Sequence, residues 1–308
     1  MRSKDIASVG ECMLELSGTG EGTWRLGYAG DTFNTLWTLR ALADSDAATD
    51  YVSAFGDDPF SEQQIAFFKE NGIGIADSPR LRNARPGLYA ITLDGAERSF
   101  TYWRNDAAAR QLASDPSALS ASLAGRALVY FSGITLAILD ADARRTLFAA
   151  LVDARSSGTL TAFDPNYRPR LWASGDDARN AFDMALAISD IALPSFSDEQ
   201  SLYGDADPQA TVERLAAAGV GEAVVKDGEK PAVVLDPSGS SVVDGISVEA
   251  IDTTGAGDSF NGAYLAARLR GESPVHAAKR AHRVAAAVIK VRGALAPYDA
   301  LRAAFNQD

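Results

Sequence analysis

One cysteine and two histidines occur in the 308 residues, and no run of about 18 apolar residues is present. Cys12 cannot close a disulfide within the chain, and with no second cysteine or nearby histidine it lacks the partners of a zinc site. It reads as a small buried hydrophobe. His276 and His282 lie on one late helical stretch, so a nucleophile paired with histidine is poorly supplied. Chemistry must then rest on carboxylates and arginines. The segment from Met1 to Val9 lacks the basic-then-apolar layout of a secretory signal, which points to the cytoplasm and away from a membrane. Positive charge is scarce too: 29 Lys and Arg stand against 41 Asp and Glu, a formal net charge of -12. Such a chain repels phosphate backbones, so nucleic acid is not an expected partner, and an anionic substrate must meet a local arginine cluster.

What is present suits a large buried core. Hydrophobic residues make up 46% and charged residues 23%, enough for one domain or one domain with a lid. Short β-branched or apolar runs at 6–9, 51–55, 127–131, 160–163, 191–193 and 223–225 alternate with longer helical stretches. The helical candidates are 34–42, 61–71, 141–154, 178–188, 208–218, 256–270 and 274–290, most of them apolar on one face. That rhythm predicts an α/β fold with a mostly parallel sheet. Two segments break it. Residues 15–30 are rich in glycine and aromatics, and 87–103 reads as two strands joined at Asp94-Gly95, a strong hairpin turn. Together they predict a small sheet outside the core, and no repeat or linker divides the chain.

The sharpest motif is Asp252-Thr253-Thr254-Gly255-Ala256-Gly257-Asp258-Ser259-Phe260, just ahead of an apolar-periodic helix. Small residues at a helix start let backbone N–H groups approach an anion, and the helix dipole favours negative charge there. Phosphate is the natural guest. A carboxylate at Asp258 would repel that phosphate unless it serves to take a proton from an attacking hydroxyl. Taken alone, the residue could equally be a helix cap, for which Asp is favoured.

This stretch resembles the C-terminal signature of ribokinase-like carbohydrate kinases, also called the phosphofructokinase B type. The resemblance continues through Gly10-Glu11, Ala29-Gly30-Asp31-Thr32-Phe33-Asn34, Asp164-Pro165-Asn166-Tyr167-Arg168 and Lys226-Asp227-Gly228, in order and spacing over essentially the whole chain. It implies a three-layer α/β/α core over 1–308 with a small β lid from about 12–30 and 86–104. It further implies Asp258 as catalytic base and Gly255, Ala256 and Gly257 as an anion hole. Asn166 and Arg168 would face the transferred phosphate, while Lys226 and Gly228 would line the nucleotide. ATP and Mg2+ follow as cofactors, and Asp252 with Thr254 match positions that hold a monovalent cation such as K+ in several relatives. Two departures stand out: Phe196 replaces an Asn usually found three residues before a metal-organising Glu, here Glu199, and Ala29 replaces a frequent Gly. The second would matter only if that backbone needed a positive φ.

At the sugar end, Asp31 and Asn34 sit at a helix start, where either could cap exposed N–H groups. The resemblance instead implies that they and Gly30 bind sugar hydroxyls. On the predicted lid hairpin, Tyr89 stands on the first strand, and alternation places Tyr102 and Arg104 on one face with Trp103 on the other. A planar arginine beside a tyrosine suits a substrate carboxylate. The strings Gly10-Glu11-Cys12-Met13-Leu14-Glu15-Leu16, Arg85-Pro86-Gly87-Leu88-Tyr89, Tyr102-Trp103-Arg104-Asn105 and Asn166-Tyr167-Arg168-Pro169-Arg170-Leu171-Trp172 are similar to the branch of the family that acts on keto-deoxy sugar acids. That implies ATP-dependent phosphorylation of the terminal hydroxyl of 2-dehydro-3-deoxygluconate, in Entner-Doudoroff or sugar-acid breakdown. A fructokinase or other sugar kinase of the family is the nearest alternative, and a non-catalytic sugar- or nucleotide-binding regulator is the alternative of another class. A family-like lid also leaves a sheet able to pair with a second copy as a homo-oligomer.

Overall fold

The computed structural model describes residues 4–20, 22–94 and 97–307. The chain enters along β1 (Ile6–Val9), leaves through β2 (Met13–Gly20) and β3 (Thr23–Ala29), and returns by α1 (Asp31–Leu42) to β4 (Thr49–Val52). Helix α2 (Pro59–Glu70) then leads to β5 (Leu88–Asp94) and β6 (Glu97–Trp103). Next come α3 (Pro116–Leu123), β7 (Leu128–Ser132), α4 (Gly133–Ile138), α5 (Ala141–Ser156), β8 (Leu160–Asp164) and α6 (Gly175–Ala187). Strand β9 (Ile191–Ala192), α7 (Phe196–Tyr203), α8 (Pro208–Ala217) and β10 (Glu222–Asp227) follow. The remainder is the hairpin β11 (Lys230–Asp236) and β12 (Gly239–Val243), then α9 (Ala256–Leu269), α10 (Pro274–Val288) and α11 (Tyr298–Phe305).

Eight strands form the main sheet in the order β12-β11-β10-β9-β8-β7-β1-β4. From β4 to β10 every pairing is parallel, and β10, β11 and β12 pair antiparallel at one edge. Successive strand residues point to opposite faces, and here the two sets enter separate cores. Ile6, Leu128, Tyr130, Ala162 and Val224 join residues of α1, α9 and α10 on one side. Val9, Val129, Phe131, Phe163 and Val225 join Leu147, Leu151 and Phe182 of α5 and α6 on the other. Burial on both faces is what makes these strands read as unbroken apolar runs. The predicted α/β class and mostly parallel sheet hold, and the edge hairpin β11–β12 was not anticipated. Its exposed first residues, Lys230 and Pro231, hide the apolar 232–235 that pack inward.

The second sheet has the order β3-β2-β5-β6. Its register fixes two faces. Tyr89 opposes Glu15 and Tyr102, whereas Leu88 opposes Leu14 and Trp103, and Leu16 opposes Leu26 and Ala90. Tyr89, Tyr102, Met13 and Ile91 therefore share one face and form a small cluster. Trp24 (47% exposed), Leu26 (37%) and Trp103 (56%) share the opposite face and meet solvent. Gly95 of the predicted turn lies outside the described residues. Ala29 does not need a positive φ, a state found among the non-glycine residues described at Ala76, Asn83 and Asn166. No helix among the described residues is long and apolar enough to cross a membrane.

Candidate active site at the carboxyl ends of the main sheet

Helix α9 begins where β8 and β10 end, the usual location of a ligand crevice in an open α/β sheet. Gly255 caps it with φ 77°, and a Cβ there would lie 2.7 Å from that of Ala294, so both conformation and space demand glycine. Asp252 pins the turn from behind: one carboxylate oxygen accepts the Thr254 N–H (3.0 Å), the other the Gly293 N–H (2.8 Å). Ala256 opens the helix and Gly257 is exposed, with Lys226 Nζ 4.0 Å from where its Cβ would stand. The turn therefore presents small residues to the cleft over a fixed positive charge.

Asp258 is not a cap. The α9 start has no side-chain capping bond, and the Asp258 carboxylate instead accepts from Asn34 Nδ2 at 2.8 Å. The Asn34 amide oxygen in turn accepts the Gly30 N–H at 3.4 Å, so a backbone donor and a carboxylate acceptor set which way the amide faces. Thr35 Oγ1 donates to the Asp258 carbonyl at 3.2 Å. Gly30 has no room for a side chain, since a Cβ would fall 2.1 Å from the Glu11 carbonyl oxygen. Nor does α1 use Asp31 as a cap: its N-cap is Gly30, and Asp31 accepts from Asn166 Nδ2 at 2.8 Å. Burial, with the neighbouring Asp31 charge adding to it, pushes the Asp258 carboxyl up to about 7.

Beneath these groups lies a buried network that the sequence did not reveal. Asp164, at the end of β8, accepts from Lys226 Nζ (2.9 Å) and Asn261 Nδ2 (2.6 Å) on one oxygen and from the Asn166 N–H (3.0 Å) on the other. Asn261 Oδ1 accepts from Lys226 (2.7 Å), and its amide donates also to Tyr130 Oη (3.1 Å). Asn166 itself stands at φ 36°, a region Asn tolerates better than most side chains. Lys226 thus lies under the anion turn, held by Asp164. Gly228, at φ 62°, makes the turn between β10 and β11.

Arg168 reaches Asp198 Oδ2 at 3.1 Å and its neighbour's carbonyl, that of Tyr167, at 2.8 Å. Glu199, the expected metal-organising acid, is the next residue along α7. Glu199 is 1% exposed; one of its carboxylate oxygens accepts from Arg214, which also holds Asp205 at 2.8 Å, and the other, Oε1, is buried with no hydrogen-bond partner among the described residues. Burial pushes Glu199 up to about 7. The carboxylate on the cleft side is Asp198, one residue earlier. Burial raises its carboxyl, while Arg168 pulls it back down. Arg168 pairs with Asp198 and Arg214 with Glu199, so the two adjacent acids meet different arginines. A magnesium ion carried on nucleotide phosphates needs few protein carboxylates, and α7 offers two, Asp198 paired with Arg168 and Glu199 with its unpartnered Oε1.

Arg104 sits at the junction of the two sheets. It lies just past the end of β6, is 8% exposed, and pairs with Glu11, itself 1% exposed. Gly87 makes room for the pair, since a Cβ would stand 2.4 Å from Glu11 Oε1 and 3.1 Å from Arg104 Cβ. Arg104 Nε and Glu11 Oε1 are both buried without a hydrogen-bond partner among the described residues, so the pair leaves one donor and one acceptor unused. Tyr102 occupies the expected face, stacked on Tyr89 at 5.6 Å between centroids, and Tyr89 donates to Glu15. The cation above Tyr102 is Arg170, 4.1 Å from the ring centroid.

A chain with a carboxylate in the first turn of a helix that starts at a glycine turn, and with a second small sheet, has relatives. Residues 3–301 match the pfkB family of carbohydrate kinases, and the chain belongs to that family. It is 41% identical over 312 aligned residues to the 2-dehydro-3-deoxygluconokinase of Dickeya dadantii, covering 98% of this chain and all of that protein. Fructokinase-2 of Oryza sativa is 31% identical over 77% of this chain and 70% of its own length. In fold, the crystal structure of a fructokinase with bound ATP from Xylella fastidiosa matches with a TM-score of 0.83 at 21% identity, covering 98% of each chain.

Arg104→Ala strands Glu11 in the interior without its partner, an arrangement that costs about 3–5 kcal/mol. The urea midpoint should fall sharply at pH 8 and less at pH 5, where an unpaired Glu11 can take up a proton. An unchanged midpoint at both would show that the pair does not hold the two sheets together.

Proposed function

We propose that the chain is an ATP-dependent kinase that transfers the γ-phosphoryl group to the terminal hydroxyl of 2-dehydro-3-deoxy-D-gluconate, giving the 6-phosphate. The observation that carries this reading is Asp258: a carboxylate hydrogen-bonded by Asn34, raised to about 7, at the mouth of a glycine turn suited to phosphate. Identity of 41% along the full chain supports the keto-deoxy acid, against 31% over a shorter stretch for a fructokinase.

In this mechanism the substrate lies between the main sheet and the second sheet, which acts as a lid, with its hydroxyls on Gly30, Asp31 and Asn34. Tyr89 and Tyr102 cover it. Asp258 takes the hydroxyl proton as that oxygen attacks the γ-phosphorus in line, and the bond to the β–γ bridging oxygen breaks to release ADP. N–H groups of the 255–257 turn, the positive end of α9 and Arg168 stabilise charge spread over the transferring oxygens. Asn166 orients beside Arg168, and Lys226 keeps positive charge beneath the turn while Gly228 lines the nucleotide. Magnesium, when bound to the phosphates near Asp198, supplies charge neutralisation. The same reading places a potassium ion against Asp252 and Thr254 and the enzyme in the cytoplasm. The exposed face of Trp24, Leu26 and Trp103 supports self-association through the lid.

ADP release should be faster with 2-dehydro-3-deoxygluconate than with fructose, ribose or tagatose 6-phosphate, and faster in potassium than in tetramethylammonium buffer. Asp258→Asn should lose at least about 100-fold in turnover with ATP affinity kept. Fructose preference would move the protein to the fructokinases; full turnover in Asp258→Asn would remove the base.

Because the base form of Asp258 is the deprotonated one, kcat/KM should climb about tenfold per pH unit up to about 7 and level off above it. A profile flat from pH 5 to 8 would contradict the raised carboxyl. Light scattering should give a mass above one chain that falls to a monomer in Trp103→Glu, and a wild-type monomer would end the lid-pairing reading.

A further inference from the structure

A second cavity lies far from the catalytic cleft, at the amino ends of the main-sheet strands, and encloses about 90 Å³. Helices α1 and α9 both end there. Leu39 and Leu42 of α1 and Ala266 and Leu269 of α9 form its apolar wall, with Ile6 of β1 and Ala127, just ahead of β7. At about 10–15 Å³ of such space per water, it has room for several waters or one short-chain molecule.

The rim is charged. Lys4 is committed to Asp44 at 2.9 Å and to Asp46 at 3.3 Å. Arg270, just past the end of α9, has no carboxylate within ion-pair distance among the described residues; one of its nitrogens donates to the Leu42 carbonyl at 2.6 Å, and its guanidinium lies over the Phe305 ring, 4.8 Å from the centroid. The Ala41 carbonyl is taken by Arg302 at 2.8 Å, so the end of α1 presents arginines and not bare carbonyls. A planar guanidinium has five N–H donors, and one bond to Leu42 leaves enough for a carboxylate. Apolar wall and unpaired cation together describe an aliphatic chain that ends in a carboxylate. On a molecule of net charge -12 an anion is repelled elsewhere, so binding of one points to this arginine.

The same two helices reach the active site. Near their starts Asn34 of α1 meets Asp258 of α9 at 2.8 Å, and Thr35 Oγ1 donates to the Asp258 carbonyl at 3.2 Å. Midway, a Cβ on Gly262 would stand 2.6 Å from the Thr35 carbonyl oxygen and 2.7 Å from Thr38 Cβ, so only glycine allows the approach. Arg270 and Leu42 close the far end. α1 and α9 therefore run side by side in one direction from Asp258 to the cavity, packed too tightly for one end to shift without the other. We propose that the cavity is an effector site for a short-chain aliphatic monocarboxylate, held by Arg270, and that its occupation is transmitted along α1 and α9 to the Asn34–Asp258 bond.

The test titrates sodium butyrate, with sodium chloride at matched ionic strength and 1-butanol as the uncharged chain, into wild type, Arg270→Gln and Ala127→Leu. Calorimetry should give one saturable butyrate site in wild type, with butanol weaker. Loss of the charge-assisted contact should weaken butyrate about 10- to 100-fold in Arg270→Gln, and the larger side chain of Ala127→Leu should fill the cavity and abolish binding. Transmission is read from the side-chain amide NMR signal of Asn34, which should move on saturation with butyrate in wild type and stay still in Ala127→Leu. Absence of a saturable site, butyrate no tighter than butanol, or binding unchanged in Arg270→Gln overturns the site. Saturable binding that leaves the Asn34 signal unmoved overturns the transmission. None of these readouts needs turnover, so their failure leaves the kinase reading in place.

Discussion

A single buried carboxylate, Asp164, ties together the elements that make the site. Its two oxygens accept three bonds, from the ends of β8 and β10 and from the first turns of α9. Each donor belongs to a residue that also acts elsewhere in the site. The Asn166 backbone carries the amide that meets Asp31, Lys226 lies under the glycine turn, and Asn261 is one helical turn beyond Asp258. Removing a charge from such a cluster would strand its partner in the interior, the costly direction for a buried ion pair. The cluster therefore defines one arrangement of three strand and helix ends, and the catalytic geometry follows from that arrangement.

The electrostatic contrast between neighbouring acids has the same origin. Asp164 has a lysine and two further donors, whereas Asp258, close to it, has only the neutral Asn34 amide at its side chain. Burial is the main cause of the raised Asp258 carboxyl, with Asp31 and Asp164 adding to it and Asn34 and Lys226 opposing it. A carboxyl poised near neutrality needs no special residue here. It needs an ordinary aspartate placed where the better partners are already taken.

Much of the scaffold was legible in the sequence. The apolar runs of β1, β7, β8 and β10 register burial on both faces, and the helical stretches expected at 208–218 and 274–290 begin at the prolines that open α8 and α10. Gly255 and Asp258 could be singled out because one local turn contains the whole signal. What escaped was partnership at long range. Asp164 is separated from Lys226 by 62 residues and from Asn261 by 97, and Glu11 from Arg104 by 93. Strand alternation placed Tyr102 on the right face but assumed that Arg104 continued the strand, whereas β6 has already ended. The Asp198-Glu199 pair shows the same limit, since the arginine each acid meets, Arg168 or Arg214, comes from another part of the chain.

The parity of the second sheet has a consequence for how this surface can change. On β6, Phe100 and Tyr102 turn one way and Thr101 and Trp103 the other, with Tyr89 and Leu88 their counterparts on β5. Adjacent codons thus serve unrelated surfaces, and point changes can remodel either side while sparing its neighbour. Insertion of one residue within the strand would exchange the two sets at a stroke, sending Trp103 inward and Tyr102 out to solvent. The sheet is therefore permissive to substitution and intolerant of length change, so variation among such chains should concentrate in residue identity along β5 and β6 and leave strand length alone.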